Sequence, residues 1–174
     1  MKKSSNNAKR GFSLLELSIA MAMMAALSAA SMVLLRTSQN AWNRHRDDHE
    51  RSQSASAALR HIVRNARQSV AVTAITSPTN NSGSLSLQRS DGAILVWNHD
   101  GVNDQVNYGI TTASSLLSNY ITALTFTGYK ADGISTTEDV DLIHIVECTV
   151  TYELDRPTGT TAKQLTSRAW LRSW

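Results

Sequence analysis

Gly11-Phe12-Ser13-Leu14-Leu15-Glu16-Leu17-Ser18 opens an apolar run that continues to Leu35, with Glu16 as its one charged member and Ser13, Ser18, Ser28 and Ser31 as its other polar ones. From Phe12 the run is about 24 residues, which at ~1.5 Å per residue reaches roughly 36 Å, enough to cross a ~30 Å hydrocarbon core. Lys2, Lys3, Lys9 and Arg10 precede it. Their positive charge predicts an N-terminus held in the cytoplasm and a C-terminal domain sent outward. A carboxylate at membrane depth costs several kcal/mol unless something compensates it, so Glu16 reads as functional. A secretory signal has the same basic-then-apolar layout, but its apolar core is roughly 7–15 residues and ends in a small-x-small cleavage site. Here the run is longer, and Ala25-Ala26 and Ala29-Ala30 lead into no polar linker of the exported kind.

The stretch Lys9-Arg10-Gly11-Phe12-Ser13-Leu14-Leu15-Glu16, followed at once by the apolar helix, resembles the N-terminus of type IV pilin-like proteins: pilins, minor pilins and the pseudopilins of type II secretion. The resemblance implies cleavage between Gly11 and Phe12 by a prepilin peptidase on the cytoplasmic face, N-methylation of Phe12, and retention of the apolar segment. It also implies partners: other pilins or pseudopilins, the peptidase and an inner-membrane assembly platform. Cleavage after Gly11 would leave a charged amine on Phe12, for which Glu16 of a neighbouring subunit is the natural counter-charge. Desolvation offsets much of the attraction between such charges, so the pair acts more as a register device than as a source of stability. Snorkelling of Glu16 to nearby headgroups is the plainer reading of the same residue.

Length and charge bound the remainder. A chain of 174 residues with one span has room for a single outer domain of about 100 residues. The formal charge of +3 belongs to the leader, because residues 1–11 hold four of the 17 basic side chains and none of the 14 acidic ones, leaving 13 against 14, or −1. Nucleic-acid binding is therefore not expected from overall charge. Cys148 is the only cysteine, which excludes an intrachain disulfide and departs from the C-terminal disulfide loop of many major pilins.

No Pro or Gly occurs between Phe12 and Ser77, which predicts one continuous helix from the membrane into the outer domain. Ala55, Ala58, Leu59, Ile62, Val63, Ala66 and Val70 recur at three- and four-residue spacing, an apolar stripe against which a sheet can pack. The helix is expected to run out over 69–75, where β-branched residues gather before Pro78. Leu85 and Leu87 alternating with serines, the turn signal Asp91-Gly92 and the run 93–97 predict a β-hairpin. Segments 105–110, 120–129, 142–154 and 163–174 are further predicted strands, separated by loops at 130–139 and 155–161. The expected fold class is α+β, a long N-terminal helix packed on an antiparallel sheet. The expected organisation is leader 1–11, transmembrane helix 12–35, amphipathic half-helix and exit 36–76, and outer sheet domain 77–174.

Catalytic constellations are missing. His45 and His49 share a helix face, but His45-Arg46-Asp47-Asp48-His49 lacks a Glu directly after the first His and a third ligand, so a solvated polar turn is the better reading. No phosphate loop or nucleophile elbow occurs, and the chain reads as a non-enzyme. No cofactor is expected. Some pseudopilins bind Ca2+, and Asp100, Asn103 and Asp104, or Asp132, Glu138, Asp139 and Asp141, are oxygen-rich candidates; an ordinary Asx-rich loop is the preferred reading. Arg60, Arg64 and Arg67 form a basic stripe that reads first as a solvated face. Its functional readings are a contact with acidic loops of neighbouring subunits or with DNA, and the first is favoured because residues 68–174 carry six basic and ten acidic side chains.

Segments 59–68, 121–126 and 146–154 are similar to minor pilins of the W type and minor pseudopilins of the J type, and Glu16 disfavours a K-type tip pseudopilin, which usually lacks it. The expectation is a minor subunit of a type IV pilus or type II secretion pseudopilus, near the tip or in the initiation complex, seated in the inner membrane by one span. The alternatives are a major subunit, a competence pilin that takes up DNA, and a single-pass anchored binding protein that never polymerises.

Overall fold

The computed structural model describes residues 13–156 and 158–172. Helix α1 runs without a break over Leu14–Ala66, as the absence of Pro and Gly predicts. By internal packing the chain divides into two units, residues 1–44 and 45–174. In the first, the apolar part of α1 is long enough to cross a membrane, and none of it is buried by protein. Two of its hydroxyls are satisfied within the helix: Ser18 Oγ donates to the Leu15 carbonyl at 2.8 Å and Ser31 Oγ to that of Leu27 at 2.8 Å. Such back-bonding removes the cost of an unsatisfied polar group in lipid.

In the second unit the stripe behaves as its spacing predicts up to Ala66, while Val70, its last member, lies beyond the helix in a strand. Ala55, Ala58, Ile62 and Ala66 are buried, and Leu59 and Val63 pack partly buried against the same core. Three of these, Ala55, Ala58 and Ala66, are alanines, so the buried face is built largely from small side chains. The strands form two sheets rather than one. A five-stranded antiparallel meander holds β1 (Ser69–Ile75), β2 (Ser84–Arg89), β3 (Ile94–Asp100), β4 (Gln105–Ile110) and β5 (Ser115–Asn119) in chain order. A three-stranded sheet holds β6 (Ala123–Tyr129), β7 (Ile145–Arg156) and β8 (Gly159–Trp170). Leu85, Leu87, Leu95, Trp97 and Val106 of the first sheet share one core with Phe126, Val146, Cys148 and Val150 of the second.

The sheets are joined where the chain enters β2. Gly83 N donates to the Leu124 carbonyl at 2.8 Å, and Leu124 N donates to that of Asn81 at 2.9 Å. A Cβ on Gly83 would stand 2.4 Å from the Leu124 carbonyl oxygen, so only glycine permits this junction.

Several boundaries differ from expectation. Segment 69–75 is not a helix exit but β1, paired with β2, so the sheet domain begins before residue 77. Val70, Val72, Thr73 and Ile75 suit a pleated surface, and the helix is ended by Ser69, whose Oγ donates to the Asn65 carbonyl at 2.8 Å. The expected strand at 120–129 starts only at Ala123, because Tyr120 adopts φ 63°, and residues 115–119, unassigned from sequence, form the edge strand β5. Val140–Leu142 is a 3-10 turn, so β7 starts at Ile145. The expected loop at 155–161 is a tight hairpin, with Arg156 paired to Gly159 at the end of a ribbon that continues to Ile145 opposite Trp170.

Candidate functional site

Glu16 lies in the first turn of α1, exposed, and its backbone N–H donates to Ser13 Oγ at 3.1 Å. Ser13 is thus the N-cap and Glu16 the third helical residue, the Ser-x-x-Glu spacing of a capping box. This gives Glu16 a local role that the sequence reading overlooked: its carboxylate complements the positive end of the helix. Gly11 and Phe12 lie outside the described residues.

Arg60, Arg64 and Arg67 are all exposed, on the side of the helix away from buried Ala58, Ile62 and Ala66. No ion pair engages any of the three among the described residues, where the pairs are Arg51–Asp155, Arg89–Asp91, Arg156–Asp48 and Arg168–Glu147. Two of those pairs clamp the β7–β8 ribbon onto α1. Arg51 reaches Asp155 at 2.8 Å and donates to the Glu153 carbonyl at 2.9 Å, while Arg156 reaches Asp48 at 2.6 Å. The turn at 45–49, expected to be solvated throughout, therefore contributes Asp48 to a tertiary contact; its i,i+4 spacing gave no hint of a partner 108 residues away.

His49 Nε2 lies 2.7 Å from the Gln53 amide nitrogen, and no group of three or more metal-ligating side chains occurs among the described residues. Asp100 turns its oxygens onto its own loop, accepting from Val102 N at 3.0 Å and from Asn103 Nδ2 at 2.7 Å, and these bonds lower its pKa. Asp104 adopts φ 52° in the same turn. Asp132, like Asp100, turns its oxygens onto its own loop, with the Ser135 hydroxyl and the N–H groups of Ile134 and Ser135 holding its pKa down at about 2. Both are Asx turns by geometry. Cys148 is 1% exposed, and burial pushes its thiol far above the ordinary range, which makes it an inert core residue.

Helix and sheet meet at an aromatic cluster without a sequence signature. Trp97 Nε1 donates to His61 Nδ1 at 3.2 Å, and the Tyr108 ring packs edge-on to His61 at 4.6 Å between centroids. An imidazole that accepts at Nδ1 is neutral. Burial first, and Arg64 second, lower the His61 pKa below 6.5. The unfolded chain therefore takes up a proton that the folded chain resists. Stability is full above pH 6.5 and declines as pH falls from there toward the lowered folded value. Melting temperatures between pH 7.5 and 5 are expected to fall more steeply for wild type than for His61→Phe; equal slopes would remove His61 from the titration.

The family model of the prokaryotic N-terminal methylation motif matches residues 6–32. Comparison with curated proteins and with solved structures gave no match. The matched segment contains Glu16 and most of the apolar span, and it supports a type IV pilin-like N-terminus followed by a helix long and apolar enough to cross a membrane.

Proposed function

We propose that the chain is a minor subunit of a type IV pilus or type II secretion pseudopilus, acting near the tip or in the initiation complex. The observation that carries this reading is Glu16 in the first turn of an unbroken helix, within the matched motif. In the proposed mechanism, a peptidase cleaves between Gly11 and Phe12, Phe12 is N-methylated, and the new amine meets Glu16 of a neighbour while the apolar helices stack. The outer domain then lies outside the cytoplasm. The lone, buried Cys148 favours a minor over a major subunit, since it cannot close the disulfide loop common among major pilins.

Processing gives the direct test. A side chain at position 11 crowds the peptidase's approach to the bond before Phe12, so Gly11→Leu is expected to retain the leader. Intact-mass spectrometry of wild type should find methylated Phe12 at the N-terminus. A start near Ala26 or Ala30 would instead mean an ordinary secretory signal.

A further inference from the structure

We infer that the exposed basic face at the C-terminal end of α1, made by Arg60 and Arg64 with Arg67 just beyond the helix, receives the acidic loop around residues 138–141 of a second copy of this chain. The inference rests on the filament-subunit reading for its biological setting, and on charge and exposure for its partners. Arg60, Arg64 and Arg67 recur at i, i+4 and i+7 and span about 10 Å along the helix direction. No acidic residue occurs on the chain from Arg51 through Arg67, so the helix supplies no i,i+4 counter-charge of its own. The three arginines are unpaired among the described residues, although four other ion pairs form there.

The complementary surface is also without an ion-pair partner. Glu138, Asp139 and Asp141 are exposed, and none joins an ion pair among the described residues. They are held in a set shape: Asp139 Oδ1 accepts from Asp141 N at 3.2 Å, Asp139 N donates to Thr137 Oγ1 at 3.1 Å, and Thr137 N donates to the Gly128 carbonyl at 2.9 Å. Ile134, 82% exposed, and Leu142, 44% exposed, flank the acids with apolar surface. A preorganised acidic loop with an apolar rim, set against an uncompensated basic helix face, has the charge complementarity that steers and orients association. Repeated head-to-tail from copy to copy, such a contact is heterologous and can propagate along a filament.

Crosslinking of full-length protein in membranes tests this. One tagged population carries Gln68→Cys and the other Leu142→Cys; Cys148 is buried and does not compete for a short bis-maleimide. A mixed-tag product is expected, weakened by 0.5 M salt and absent from either population alone. Reversing Arg60, Arg64 and Arg67 to Glu should lower its yield at least ten-fold. Reversing Glu138, Asp139 and Asp141 to Lys in the other population should restore it to within about two-fold, a rescue that misfolding cannot produce. A yield unaffected by the first reversal, or lost without rescue, overturns the inference. Loss of binding to duplex DNA on arginine reversal, with no mixed-tag product in wild type, overturns it in favour of a nucleic-acid surface. Normal Phe12 processing and filament incorporation without the crosslink would remove this contact and leave the subunit reading standing.

Discussion

A Glu16→Leu chain is expected to reach the membrane at normal or higher level, to be processed normally, and to be largely absent from the assembled complex. Removing a charge from the span lowers the insertion cost by roughly 2–3 kcal/mol on insertion scales, so lost function cannot be blamed on failure to enter the bilayer. What disappears is the proposed counter-charge for a neighbour's Phe12 amine. If that pairing contributes about 1.4 kcal/mol or more of preference for the correct register, recovery with the other pilin-like subunits drops ten-fold or more. The capping geometry provides an internal control. Ser13→Ala removes the hydroxyl that accepts from Glu16 N and should cost only about 1 kcal/mol of helix-end stability, leaving the carboxylate in place. Equal loss in both variants would assign Glu16 to the helix end; assembly of Glu16→Leu at wild-type level would reduce it to a tolerated interfacial acid.

The second large effect is structural. Trp97 is fully buried in the shared core and donates its indole N–H to His61, so it joins β3 to α1 through both packing and a hydrogen bond. Truncation to alanine leaves a cavity and an unpaired His61 nitrogen, a loss of about 3–5 kcal/mol, comparable with the whole stability of a marginal domain. Fragment 37–174, which omits the apolar span, is expected to melt cooperatively when wild type and more than roughly 10 °C lower with Trp97→Ala. Trp97→Phe keeps most of the volume and loses only the donor, so it should fall between the two. A Trp97→Ala melt within a few degrees of wild type would show that helix–sheet docking does not depend on this residue.

Much with a local cause was legible in the chain itself, although the Ser13–Glu16 cap, equally local, was not drawn from it. The unbroken helix follows from 66 residues without Pro or Gly, its buried face from the three- and four-residue spacing of Ala55, Ala58, Ile62 and Ala66, and the β2–β3 hairpin from alternation around Asp91-Gly92. The Lys9–Glu16 motif is likewise local, and the family match over residues 6–32 contains it. Tertiary structure decided the rest. The identity of 69–75 as a strand depends on β2 being available to pair with it, and the β7–β8 ribbon hides its turn among residues that look like a loop. The junction between the two sheets depends on a backbone approach at Gly83 that no periodicity encodes, and the clamps Asp48–Arg156 and Arg51–Asp155 join positions more than a hundred residues apart. Hydrophobic period and turn chemistry act over a few residues, whereas pairing partners and buried polar contacts are selected by the packed fold as a whole.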